Sequence, residues 1–67
     1  MSIARVTEIS ATSGKSFEDA INKGMARATK TLRGVSGAWI KEQKLSVEKN
    51  KIVSYQVNMM VSFILED

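Results

Sequence analysis

The alternation of apolar and other residues between positions 53 and 65 is the feature that most constrains how this chain folds. Every second residue of the segment is apolar: Val53, Tyr55, Val57, Met59, Val61, Phe63 and Leu65. Such alternation is typical of a β-strand with one buried face. Seven side chains on one face require a covering element, which another part of the chain must supply.

One segment has the periodicity of an amphipathic helix and supplies that cover. Between positions 16 and 33, apolar or small residues recur at spacings of three and four, namely Phe17, Ala20, Ile21, Gly24, Ala28 and Leu32. Ser16 and Asp19 resemble a capping box, and Gly34 is a typical helix stop. We predict a helix over residues 16–33 whose small residues allow it to approach the sheet closely.

The remaining segments predict two more strands. Residues 2–10 place β-branched residues between polar ones, whereas residues 11–15 have the composition of a loop. Residues 35–48 form a long extended segment, and Lys49 and Asn50 connect it to the last strand as a hairpin. The predicted fold is α+β, with the order β-α-β-β and a three-stranded antiparallel sheet packed on one helix. We expect a single domain over residues 1–67.

The size of the chain indicates how the fold is supported. A 67-residue domain buries a modest share of its surface, and the absence of cysteine excludes disulfides, which leaves self-association as the favoured support. One helix covers one sheet face, and strands of about thirteen residues project beyond it. We expect subunit contacts at the strand edges and on the second face, where Trp39, Leu45 and Val47 share space with Gln56, Asn58, Met60 and Ile64.

Composition excludes several function classes. Without cysteine or histidine, the chain has neither a thiolate nucleophile nor an imidazole base, so we expect no enzyme activity. The absence of cysteine favours a cytoplasmic protein, and the longest apolar stretch is too short to cross a membrane. Lys23, Arg27 and Lys30 line one side of the helix, either as its solvated face or as an anion site. We expect no nucleic-acid partner, because aromatic residues do not interleave with this basic stripe.

The order and spacing of several segments resemble the dodecin family. The matching segments are VTEI at 6–9, SGKSFEDAI at 13–21, ARA at 26–28, TLR at 31–33, IKEQ at 40–43, YQV at 55–57 and VSF at 61–63. The resemblance covers nearly the whole chain and implies a hollow homododecamer with flavin sites between subunits. It implies a non-enzymatic function, the storage and sequestration of riboflavin or FMN.

The resemblance also implies particular site residues. Flavin-binding members stack a tryptophan of the second strand on the flavin ring and bond its polar edge with a glutamine of the third strand. Gln56 matches that glutamine, whereas the ungapped register puts Gly37 at the stacking position and the tryptophan, Trp39, two residues further along. A two-residue displacement keeps a side chain on the same strand face. Trp39 therefore either stacks on a flavin from a shifted position or anchors a subunit contact.

Three polar residues complete the predicted site. Glu42 and Gln43 are candidates for ordering the ribityl hydroxyls of a flavin, and Lys44 is a candidate for binding its phosphate. Ile64 stands where FMN-binding bacterial members often have an arginine. These departures leave an alternative open, a flavin-free structural or carrier shell that binds coenzyme A or a cation. The sequence contains no dedicated calcium loop.

Overall fold

The computed structural model describes residues 3–65 and contains four elements in the predicted order. They are β1 (Ile3–Ser13), α1 (Phe17–Thr31), β2 (Val35–Glu48) and β3 (Lys51–Leu65). The three strands form one antiparallel sheet in the order β1-β3-β2, and α1 packs on one of its faces. The predicted α+β class and the β-α-β-β order are confirmed, and β3, the last strand in sequence, is the central one.

The ends of β1 and α1 differ from the prediction. β1 continues to Ser13, because residues 11–13, which have loop composition, pair with the long central strand. The helix ends at Thr31 rather than at residue 33, and the backbone N–H of Leu32 donates to the Ala28 carbonyl at 2.9 Å. Gly34 has a φ of 70°, a left-handed conformation that suits glycine and turns the chain into β2. Residue 2 of the predicted first strand lies outside the described residues.

The start of α1 is tied to the end of β1. As predicted, the Ser16 hydroxyl caps the helix by accepting a hydrogen bond from the Asp19 backbone N–H at 2.9 Å. The Asp19 carboxylate accepts from the Ser13 hydroxyl at 2.6 Å and lies 3.0 Å from the Lys23 ammonium. The hydrogen bond from Ser13 and the pairing with Lys23 hold the pKa of the Asp19 carboxyl below its ordinary value. Lys23 thus belongs to a local ion pair rather than to a free basic stripe.

The core lies between α1 and the middle of β3. Ala20, Val57 and Met59 form its buried centre, whereas Val53 and Leu65 near the two ends of β3 are each 43% exposed. A helix of 15 residues is about 22 Å long, and a strand of the same number of residues is about 50 Å long. One helix therefore covers the centre of the apolar face and leaves its ends open, as the strand lengths predict.

The end of the β2–β3 hairpin extends beyond α1. We call residues 45–53 the hairpin arm. Its turn residues, Lys49 and Asn50, have φ values of 52° and 63°, as in a type I′ turn. The radius of gyration is 13.9 Å, whereas a compact domain of this length has one of about 11 Å. The arm carries four exposed apolar side chains, Leu45, Val47, Ile52 and Val53.

Candidate functional site

Strand pairing decides which residues share the sheet face opposite α1, which we call the open face. Val57 and Met59 pack towards α1, so the even-numbered residues of β3 from Ser54 onwards project to the open face. Directly paired residues of antiparallel strands lie on the same side of the sheet. The β2 residues paired with those even positions are Gly37, Trp39, Glu42, Lys44 and Ser46, and the β1 residues include Glu8, Ser10 and Thr12. Five of the six predicted site residues, including Gln56, therefore share the open face.

A β-bulge at Lys41 produces this arrangement. Ile40 pairs with Met59 and Glu42 pairs with Asn58, which leaves Lys41 as an extra residue in β2. The bulge shifts the alternation of β2 by one position, so that Glu42 lies on the same face as Trp39. The Lys41 ammonium reaches across the sheet to the Glu8 carboxylate at 3.2 Å. No motif in the sequence marks this bulge.

The bulge corrects three predicted placements. Gln43 pairs with Val57 and so lies on the α1 side of the sheet, away from Glu42. Leu45 and Val47, predicted on the second face, lie on the α1 side as well, because Leu45 pairs with Tyr55 and Val47 directly follows Ser46 in β2. These predictions are wrong because they require unbroken alternation from Trp39 onwards. Glu42 and Gln43 therefore cannot act together at one pocket within a single chain.

Trp39 and Gly37 lie on the same face of the sheet, as their two-residue spacing predicts. It pairs with Met60 and is 52% exposed. Along the strands, Trp39 is four positions from Gln56, or about 13 Å, whereas Gly37 is six positions away, or about 20 Å. The displacement by two residues thus brings the indole closer to Gln56.

A chain of hydrogen bonds fixes the polar part of the open face. The Asn58 amide donates from Nδ2 to Glu42 Oε1 at 2.5 Å, and its Oδ1 accepts from Gln56 Nε2 at 3.3 Å. Gln56 Nε2 also donates to the Ser10 hydroxyl at 2.8 Å, and the Lys44 ammonium lies 3.8 Å from Glu42. Sequence reasoning placed Asn58 on this face but missed its role as the link between Glu42 and Gln56.

The open face is a surface rather than a closed pocket. Two depressions in the described part of the chain, of about 380 and 250 Å³, lie near Arg33 and Phe63 and between α1 and β1. Neither is lined by Trp39 or Gln56. A ligand held between these two side chains would therefore need a second subunit to enclose it.

Two acidic residues at the centre of the open face, Glu8 and Glu42, are each close to a lysine. Glu8 pairs with Lys41 and Glu42 with Lys44, at the distances given above. Over residues 3–65, no three acidic, histidine or cysteine side chains come together in a group able to hold a metal ion. Within the same range, no helix has the length and apolar character that crossing a membrane requires.

Comparisons with known proteins agree with this geometry. The family model for dodecin matches residues 3–66. A mutant of Thermus thermophilus dodecin is 33% identical, with a TM-score of 0.92 over 100% of both chains. Dodecin from Streptomyces davaonensis is 32% identical, with a TM-score of 0.91 over 98% of this chain and 97% of that chain.

A more distant structure is a calcium-chelating antigen from Mycobacterium tuberculosis, a calcium dodecin described as having a novel calcium-binding site. It is 26% identical, with a TM-score of 0.82 over 96% of this chain and 91% of that chain. Comparison with curated proteins gives no match. The family model spans nearly all of this chain and the solved structures share its whole fold, so the chain belongs to the dodecin family.

Proposed function

We propose that this protein binds riboflavin or FMN without turning it over and stores it in pockets between the subunits of a hollow homododecamer. One observation carries the proposal: an exposed tryptophan shares the open face with a glutamine whose carbonyl oxygen accepts no hydrogen bond from residues 3–65. Storage requires shape and hydrogen bonding rather than an acid, a base or a nucleophile. The side chains of the open face supply the hydrogen bonding and one wall of the pocket, and a second subunit would supply the other wall.

The residues of the open face fit the chemistry of a flavin. A flavin presents a planar ring and a polar edge that carries an imide N–H between two carbonyl groups. The indole of Trp39 can stack on such a ring, an interaction worth about 0.5–1.5 kcal/mol beyond the area it buries. The Gln56 carbonyl oxygen can accept from the imide N–H. The Lys44 ammonium lies 3.8 Å from Glu42 on an exposed side chain, which can turn from that contact to a phosphate.

Self-association supplies the wall that a single chain lacks. The hairpin arm extends past α1 with its apolar side chains exposed, and the chain is longer than a compact domain of its size. Exposed apolar surface of this kind is typical of subunit interfaces. Closing a ring of such contacts would cover the arm, and we propose that the same assembly brings a second subunit over Trp39 and Gln56.

Titration with riboflavin and FMN tests the proposal directly. Native mass spectrometry first establishes that the protein is assembled, and flavin fluorescence is then followed as protein is added. We expect quenching at micromolar protein, because stacking on an indole quenches an excited flavin. Absence of quenching by the assembled protein would overturn the proposal. Direct titration of the assembled protein with coenzyme A and with Ca²⁺, followed by isothermal titration calorimetry, tests the flavin-free carrier shell as the alternative.

Moving the tryptophan distinguishes stacking from a purely structural role. Trp39→Ala should abolish quenching while light scattering still reports the full assembly. A double variant combines Trp39→Ala with Gly37→Trp, which puts an indole at the stacking position of the family. A Cβ at position 37 would contact only the Ser62 hydroxyl, at an ordinary van der Waals distance of 3.6 Å. We expect this double variant to recover quenching. If Trp39→Ala instead dissociates the shell, Trp39 is a subunit anchor, and unchanged quenching would contradict stacking.

A further inference from the structure

We infer that Glu42 and Asn58 are positioning residues that hold the Gln56 carboxamide with its carbonyl oxygen towards the ligand. The open face then selects ligands whose polar edge donates a hydrogen bond. This inference rests on the proposed function, because it names the property of the ligand that the same site recognises. It gives Glu42 and Asn58 a role that acts through Gln56, separate from the contact with ribityl hydroxyls predicted for Glu42.

The direction of the hydrogen-bond chain begins at Glu42. An ionised carboxylate only accepts hydrogen bonds, so Asn58 must turn its NH₂ group towards Glu42, where the distance is 2.5 Å. The Asn58 carbonyl oxygen then faces Gln56 and can only accept. Gln56 must therefore donate from its own NH₂ group to the Asn58 oxygen, at 3.3 Å. Each amide orientation follows from the previous one.

The opposite orientation of Gln56 is disfavoured by the same contacts. Rotating the carboxamide would place its oxygen against the Asn58 oxygen, and two acceptors would face each other without a proton between them. Ser10, at 2.8 Å from Gln56 Nε2, does not decide the direction, since a hydroxyl can donate or accept. Glu42 is therefore the group that determines which of its two orientations the Gln56 carboxamide adopts.

Burial strengthens this control. Asn58 is 8% exposed and lies on the central strand, so a lost hydrogen-bond partner is costly there. Both N–H groups of Gln56 are used, by Asn58 and Ser10, so the atom left for a ligand is an acceptor. Lys41 does not compete for Glu42, because its ammonium is bonded to Glu8 at 3.2 Å.

Glu42→Gln tests the inference with little change in shape. An amide at position 42 can accept or donate, so Asn58 and Gln56 are free to turn over. The probes are riboflavin and its 3-methyl derivative, in which the edge N–H is replaced by a methyl group. We expect the unmodified protein to prefer riboflavin by about tenfold or more, as for a site that loses one buried hydrogen bond, and Glu42→Gln to reduce that preference to about threefold.

Glu48→Gln is the matched control. It removes the same charge from an exposed position at the end of β2, outside the hydrogen-bond chain. We expect it to keep the full preference for riboflavin. If Glu42→Gln also keeps that preference, or if both variants lose it equally, the inference is overturned.

A second readout does not depend on flavin. The unmodified chain has two glutamines, Gln43 and Gln56, so labelling with [¹⁵N]glutamine gives two side-chain NH₂ signal pairs, of which exposed Gln43 is an internal reference. Each Glu→Gln variant adds a third pair from its new amide, which is recognised by its absence from the unmodified protein. Glu42→Gln should shift or broaden the Gln56 pair in the ligand-free protein, whereas Glu48→Gln should not. An unchanged Gln56 pair would refute the positioning role. If the protein binds neither flavin while Gln56 responds in this way, the proposed function fails but the orientation by Glu42 stands.

Discussion

Replacing Gly24 by alanine probes the contact on which the core depends. Gly24 is where α1 comes closest to the sheet. A Cβ at this position would lie 2.6 Å from the Met59 methyl carbon and 3.0 Å from the Ala11 Cβ. The best separation of two non-bonded carbons is about 3.5–4.0 Å. The helix must therefore move away from the sheet by about 0.5–1 Å, or Met59 must take another rotamer.

Two opposing terms set the size of the effect. Alanine favours the helix over glycine by about 1 kcal/mol. Overpacking a filled core costs about 1–3 kcal/mol, and Met59, at 1% exposed, has little free space into which to turn. We expect Gly24→Ala to lower the free energy of unfolding by about 1 kcal/mol, because the steric term exceeds the gain in propensity.

Urea unfolding followed by circular dichroism measures this difference. All variants are compared at one protomer concentration, because assembly couples stability to concentration. Ala26→Gly, at an exposed position of the same helix, calibrates propensity alone and should lose about 1 kcal/mol. Met59→Ala should lower the free energy of unfolding by about 2–5 kcal/mol in the unmodified protein. In the Gly24→Ala protein the same change should cost less, because it makes room for the new methyl group. A Gly24→Ala protein that is about 1 kcal/mol more stable, as propensity alone dictates, would refute the close contact.

Three further predictions concern the helix start and the hairpin arm. Ser16→Ala removes the helix cap and should lower the free energy of unfolding by about 1 kcal/mol. Ser16→Asp should retain most of the stability of the unmodified protein, because aspartate is also a good cap. An equal loss of stability in both variants would contradict capping. The pKa of Asp19 is lower in the folded than in the unfolded state. Its contribution to the free energy of unfolding is therefore complete above the unfolded-state pKa of about 3.9 and is lost as the pH falls through the folded-state pKa. Acid unfolding followed by circular dichroism should therefore be less steep in Asp19→Asn below pH 4, and identical profiles would refute the linkage. Val47→Ser with Ile52→Ser should give smaller species by native mass spectrometry, with circular dichroism still showing folded chains; an intact assembly would exclude the arm from the interface.

The architecture could be predicted because burial imposes a period on the sequence. Alternation from Val53 to Leu65 and the three-and-four spacing around Gly24 each fit one kind of element, and one helix must cover one sheet. The relation between Gly37 and Trp39 follows from the two-residue period of a strand alone. The faces of these residues were therefore predicted correctly.

The composition of the site could be predicted only in part, because it depends on contacts between strands. The extra residue at Lys41 moves Glu42 onto the open face and Gln43 off it, and the sequence around it has no feature that distinguishes it from regular alternation. The orientation of Gln56 depends on Asn58 and Glu42, which meet only after β2 and β3 pair. Local sequence cannot predict a property that arises from cross-strand register.

The central place of β3 in the sheet has a consequence for how the chain folds during synthesis. The ribosome makes β1 and β2 before the strand that joins them, so neither has a hydrogen-bonding neighbour until β3 emerges. Pairing of Ile3 with Leu65 closes nearly the full length of the chain, and contacts so distant in sequence form slowly. Nascent chains should therefore expose α1 and two unpaired strands, and chaperones that shield apolar surface would act on them before assembly begins.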